Sequence, residues 1–197
     1  MNSDKIDLKR AVVFARWVSW IGHPLVFISL SVAIIIVLRL ASRAGLALFL
    51  TLLATLILPM ALLLFRGVRS GRWSDVDVSV RAERIRFYPR AIPISAVAVI
   101  GLWLLRAPAF ALRGAVVTWF VLVVAALVNF RIKLSLHALF AFYSAIILFV
   151  IHPLVGAIAF VLAFLVFWSR LYLERHDLLE TLLGASLGLL GGLVTAW

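Results

Sequence analysis

The chain has 197 residues, 65% of them hydrophobic, with a mean hydropathy of +1.18, which excludes a water-soluble domain and predicts an all-α polytopic membrane bundle. It contains no cysteine, so a disulfide framework, a thiolate metal site and a cysteine nucleophile are all excluded. The formal charge of +11 comes from basic residues scattered in short loops between apolar runs rather than from a basic domain, so the expected partners are membrane lipids and lipid phosphates and not nucleic acid.

In chain order, residues 1–10 are polar and mixed in charge, and no small-residue cleavage site follows the first apolar run, so no removable signal peptide is expected. Seven apolar runs follow, at 17–38, 46–65, 91–105, 115–130, 136–151, 153–168 and 178–196. A bilayer span takes roughly 20 residues, with about 17 as the lower limit, so the third, fifth and sixth runs are short. The reading is about seven spans, or six if one short run does not cross. The loops are too short to hold a second domain, which makes 1–197 one unit. Pro24, Pro93 and Pro153 lie near run starts, where a missing N–H is tolerated. Gly184 and Gly188 form a Gly-x-x-x-Gly that serves close packing within the bundle or between protomers, which leaves a homo-oligomer open.

With seven spans, alternation places fifteen Lys and Arg on one side and four, Arg39, Arg43, Arg106 and Arg113, on the other. The crowded side is expected to face the cytoplasm of a prokaryotic inner membrane. Every polar cluster able to do chemistry falls on that same side. These are loop 66–90, the stretch from Asn129 to His137, and the stretch from Ser169 to Glu180.

In the last stretch Arg170, His176 and Glu180 suit phosphate chemistry: a cation for phosphate oxygens, an imidazole to attack phosphorus, and an acid to orient it. Asp177 and Glu180 also have the spacing of a helix N-cap and its N3 partner, which accounts for both acids without any chemistry. Ser135 is a candidate cap for the fifth run, and the N–H groups at its start face an anion. His137 sits just inside the bilayer edge beside Arg131 and Lys133. Loop 66–90 reads either as a basic segment touching anionic lipid or as a lid whose Arg81 and Arg84 reach a phosphate. Asp75 and Asp77 raise a carboxylate metal site, which lacks a second acidic cluster to complete it, so no metal or other cofactor is expected. His152, before Pro153, reads as a turn residue; His23, before Pro24, either lines the cavity or stabilises a kink.

These residues resemble the membrane-bound type 2 phosphatidic acid phosphatase superfamily, most specifically over residues 134–188. Its last motif, Ser-Arg, five residues, His, three residues, Asp, is similar to Ser169-Arg170, His176 and Glu180, with Glu in place of Asp. Its middle motif, Pro-Ser-Gly-His, resembles Leu134-Ser135-Leu136-His137. The first motif, Lys, six residues, Arg-Pro, is absent as such, and Asp77, Arg81, Arg84 and Pro89 look like the loop of a divergent prokaryotic branch. The resemblance implies metal-independent hydrolysis of a glycerolipid or polyprenyl phosphate or diphosphate through a phosphohistidine. In that scheme His176 is the nucleophile, Glu180 its orienter and His137 the acid, while Arg170, Ser135, Lys133, Arg81 and Arg84 surround the phosphate. A lipid phosphotransferase with the same phosphoenzyme, a non-catalytic lipid-phosphate binder and a metal-dependent transferase are the competing readings.

Overall fold

In a computed structural model of the chain, residues 3–40 and 42–197 are described, with the side chains of residues 3–8 left aside. Met1, Asn2 and the Lys5 side chain, which belong to the polar start and its charge count, therefore lie outside the described residues. Among these the chain is an antiparallel helical bundle with no strand. Five helices are long and apolar enough to cross a membrane, six if a bent pair is one span.

The first apolar run is not one straight helix. It breaks into α1 (Ser3–Ile21) and α2 (Pro24–Arg39), bent by 56° in the part that carries the hydropathy. The cause is local. Pro24 cannot continue a helix, and the Nδ1 of His23 accepts the Leu25 N–H at 3.3 Å, capping α2 afresh. His152 and Pro153 repeat the device where α7 ends and α8 begins, as the turn reading expected.

The second run is α3 (Arg43–Leu52), a π-helical turn (Leu53–Ile57) and α4 (Leu58–Arg69), continuous over Arg43–Arg69. Pro59 lies two residues beyond the π turn, at whose end Leu58 N–H bonds to Leu53 O. The wider turn gives the proline ring room against the preceding carbonyls. The third run is longer than its apolar residues suggest, because α5 (Arg81–Leu104) starts ten residues earlier and carries Pro89 and Pro93 within it. Half of the polar segment 66–90 is therefore helix, and the short third run becomes a 24-residue span.

The remaining helices are α6 (Ala109–Asn129), α7 (Leu136–Ile151), α8 (Pro153–Tyr172) and α9 (Leu178–Ala196). α7 has 16 residues and is the axis of the fold; every residue from 134 to 145 is buried. A helix apolar all round and wrapped by neighbours need not match the bilayer thickness itself. α9 lies against it on a glycine stripe. A Cβ at Gly184 would sit 2.4 Å from Ser135 O, and one at Gly188 2.1 Å from Leu139 O. The Gly-x-x-x-Gly thus works inside the bundle, and that stripe is not available to a second protomer.

Candidate active site

Three connections meet at one end of the bundle: residues 70–80 before α5, 130–135 before α7 and 173–177 before α9. Each is fixed to another. Arg84, 1% exposed, donates from Nε to Val78 O at 2.9 Å and from Nη1 to Leu134 O. Arg81 donates to the Asn129 and Phe130 carbonyls. Lys133 Nζ donates to Arg175 O at 2.8 Å, and Ser135 N–H to Glu180 O at 3.1 Å. Trp73, buried beneath α4 with its indole N–H on Leu64 O, anchors the first connection, and the small Gly67 makes room for the ring.

His176 follows a turn in which Glu174 has φ +53° and the Arg175 and His176 N–H groups return to Arg170 O. Its Nδ1 lies 2.7 Å from Glu180 Oε2 and 3.1 Å from Lys133 O. Both neighbours are acceptors, so Nδ1 carries the hydrogen and Nε2 keeps the lone pair. Nε2 is buried with no hydrogen-bond partner. Burial, reinforced by the Arg84, Arg170 and Lys133 cations, pushes the imidazole down to about 2. Glu180 pulls the other way, but one half-buried carboxylate stands against three cations and desolvation. The ring is therefore neutral and nucleophilic at any ordinary pH. Lys133 is itself lowered, first by burial and then by Arg84 and Arg170, against the opposing pull of Glu180.

The cap and the orienter turn out to be separable. Asp177 Oδ1 accepts the Glu180 N–H at 2.7 Å, which caps α9. The Glu180 carboxylate faces His176 and, at 3.7 Å, Lys133 Nζ. Asp177 thus caps through the Glu180 backbone and leaves its side chain to the histidine.

Arg170 lies in the last turn of α8, at 1% exposure. Nη1 donates to Ser19 Oγ at 2.6 Å and to Asp77 Oδ2 at 2.9 Å, while Nε and Nη2 are buried without partners. Asp77 is the hub of this half of the site. Its Oδ1 lies 3.5 Å from His137 Nε2 and 3.9 Å from His23 Nε2, and the two imidazoles pack edge to face at 5.5 Å. Val78, a buried β-branched residue at φ +46°, presents Asp77 to them; so strained a backbone is held by its surroundings, here by Arg84 on Val78 O. The Asp77 carboxylate thus sits between a buried guanidinium and two imidazoles.

Of the residues singled out from sequence, His176, Glu180, Lys133, Arg170, His137 and Arg84 come together. Ser135 adjoins them, and its Oγ accepts the Ala138 N–H as the cap of α7. Arg81 is directed to the carbonyls at the end of α6, so it clamps the loop and offers no free fork to a phosphate. Asp75 and Asp77 part company: Asp75 holds the Ser79 N–H at 3.1 Å and faces Arg175 at 3.4 Å. Among the described residues no group of three His, Asp or Glu is arranged to hold a metal ion. Sequence reasoning missed Ser19 and the joint role of Asp77 and His23. Ser19 and Asp77 stand 151 and 93 residues from Arg170, with no local pattern to link them. Compared with known proteins, the chain matches no family model, no curated protein and no solved structure.

Proposed function

We propose that the protein is a metal-independent lipid phosphate phosphatase working through a phosphohistidine, and that it is a divergent member of the type 2 phosphatidic acid phosphatase superfamily. The observation that carries the reading is the state of His176: Nδ1–H held by Glu180 and a backbone carbonyl, Nε2 buried and unpartnered, cations on its flank. That is an oriented, neutral nucleophile beside charge suited to a phosphoryl group.

In the first step Nε2 of His176 forms a bond to phosphorus and the bond to the lipid oxygen breaks. His137 gives its proton to the departing alkoxide, with Asp77 at 3.5 Å as countercharge to the imidazolium. Water then attacks phosphorus, the N–P bond breaks, inorganic phosphate leaves and the water proton returns to His137. The unpartnered Nε and Nη2 of Arg170 hold phosphoryl oxygens, aided by Lys133 and by the positive field of Arg84.

The test is phosphate release from lipid monophosphates and diphosphates by wild type and by His176→Ala. A nucleophile replaced by alanine drops turnover by at least about 10⁴-fold and abolishes the acid-labile phosphoenzyme. Release by His176→Ala at the wild-type rate overturns the mechanism. Product analysis with added alcohols separates hydrolysis from transfer to an acceptor.

The site is assigned to the cytoplasmic face of a prokaryotic inner membrane on the charge bias between the two ends of the bundle. The chain has no cysteine, so Ser70→Cys at the site end and Arg43→Cys at the other each give one thiol to label from a chosen side. Labelling of Ser70→Cys from outside only reverses the orientation.

A further inference from the structure

Two cavities inside the bundle share a wall. The smaller, about 70 Å³, is lined at the site end by His23, Asp77, Arg84 and His137. The larger, about 480 Å³, lies in the opposite half, among the last turns of α2, α5, α7 and α9 and the first turns of α6. Ile28, Leu56, Ser95 and Thr118 line both, so the smaller is the neck of the larger.

Arg39 and Arg113 stand on the chamber wall at its far end, and the rest of the wall offers little to a polar guest. Apart from that of Ser144, its hydroxyls are bonded within the protein: Tyr143 OH meets Thr118, Thr195 and Gly114 O, Ser31 Oγ donates to Phe27 O, and Ser95 Oγ to Ala91 O. The rest of the wall is mainly Ile, Leu, Val and Ala. A cavity of this size and character takes an apolar guest and repels water.

The neck distinguishes the two halves of the site. His137 and Asp77 line it; His176 and Arg170 do not. An acid that protonates a departing alkoxide stands on the side where the lipid alcohol leaves. The hydrocarbon of the ester then starts in the neck and continues into the chamber. The neck offers about 70 Å³ against about 480 Å³ behind it, and a diacyl lipid has to fit two chains side by side into that smaller space.

We propose that the chamber holds the hydrocarbon chain of the substrate, and that the neck selects lipid phosphates with one chain, of the isoprenyl or monoacyl class, over diacyl phosphates. This rests on the phosphatase reading above and adds to it where the chain lies and how many chains pass.

The experiment has two arms. In the first, wild type, Ala98→Phe and Ala111→Trp, both substitutions in the chamber wall, are compared on para-nitrophenyl phosphate, farnesyl monophosphate, a long-chain lysophosphatidic acid and a diacyl phosphatidic acid. Wild type is expected to turn over the single-chain lipids at least about tenfold better than the diacyl one. The variants are expected to lose at least about tenfold on the long chain, the worth of roughly two buried methylenes, and to keep the soluble ester. Equal turnover of diacyl and single-chain lipids, or variants untouched on the long chain, overturns the proposal. If no ester is hydrolysed, the phosphatase reading fails and the second arm still decides.

In that arm a lysophosphatidic acid with a diazirine at its chain end is photolysed with the wild-type protein. Adducts on chamber residues such as Leu102 and Ile147 are expected. Adducts confined to outward-facing residues such as Leu127 and Phe164 place the chain in the bilayer and overturn the proposal.

Discussion

The two ends of the bundle are built on opposite plans. At the site end α7 and α9 approach until backbone meets backbone, and three connections are tied together by arginine, lysine and glutamate onto carbonyls and N–H groups. At the other end the helices surround a chamber of about 480 Å³, and Arg39 and Arg113 on its wall make no ion pair or hydrogen bond among the described residues. The lesson concerns where a membrane protein concentrates order. Hydrocarbon needs only space and apolar walls, whereas a nucleophile has to be held by its neighbours to within about half an ångström. The tight end accordingly contains two of the three left-handed non-glycine residues among those described, Val78 and Glu174, with Arg106 at the other end, and the orphan nitrogens of His137, Arg170 and His176.

The largest expected contrast is catalytic. Glu180→Gln leaves the cap of α9 intact, because Asp177 bonds the backbone N–H. It removes the carboxylate charge and puts an amide, whose NH2 can donate to Nδ1 and favour the wrong tautomer, beside His176, so phosphate release falls by about 10²- to 10⁴-fold. Arg43→Gln, exposed at the loose end and outside both cavities, leaves release within about twofold of wild type, the usual outcome for a surface change away from the site. Comparable losses in both variants mean that charge in general, and not the histidine's orientation, sets the rate.

Next comes packing. Gly188→Ala puts a methyl group 2.1 Å from Leu139 O, a backbone atom that cannot rotate away. The helices have to part, at a cost of about 3 kcal/mol, the upper end of what overpacking usually costs. Gly114→Ala meets only Thr195 Cγ2 at 3.5 Å and gains helix propensity, so it is neutral or stabilising by about 0.5–1 kcal/mol. Thermal midpoints in one detergent check the pair, and equal shifts dissolve the distinction between a tight and a loose end.

A smaller effect tests the anion already in the site. Asp77→Asn removes the negative charge that competes for Arg170, so inhibition by inorganic phosphate should strengthen about tenfold, the scale of one favourable charge-assisted contact. Unchanged inhibition places phosphate elsewhere.

How much of this could be read from the chain follows the same division. The bundle was legible because hydropathy is a local signal, and α6, α8 and α9 lie over runs seen in the sequence. What escaped was written in the backbone. The break at His23 and Pro24 and the helical start of α5 depend on caps and on carbonyls left free by proline, which hydropathy does not report. Within the candidate site, Arg170, His176, Glu180 and His137 stood out by type and spacing. Arg81 did too, yet its guanidinium clamps carbonyls at the end of α6, and spacing cannot tell a phosphate from a peptide oxygen. Asp77 could be seen as half of an Asp-x-Asp and as part of a loop pattern with Arg81, Arg84 and Pro89, but not as the partner of Arg170, which lies on α8.

The last expectation is a pH effect confined to the tight end. An unfolded histidine titrates near 6.5, whereas His176 in the fold is held down to about 2. Above 6.5 the imidazole is neutral in both states and pH changes nothing. Below it the unfolded chain takes up a proton that the native protein refuses, so stability falls as pH drops, by about 1.4 kcal/mol per unit at full slope. Between pH 7 and 5 this amounts to about 2 kcal/mol. His176→Gln has no proton to take up, and its thermal midpoint should fall less than that of wild type over the same interval. If the two fall in parallel, His176 is already solvated or already charged in the native protein. A charged imidazole has no lone pair to offer phosphorus, so that outcome would remove the nucleophile along with the pH effect.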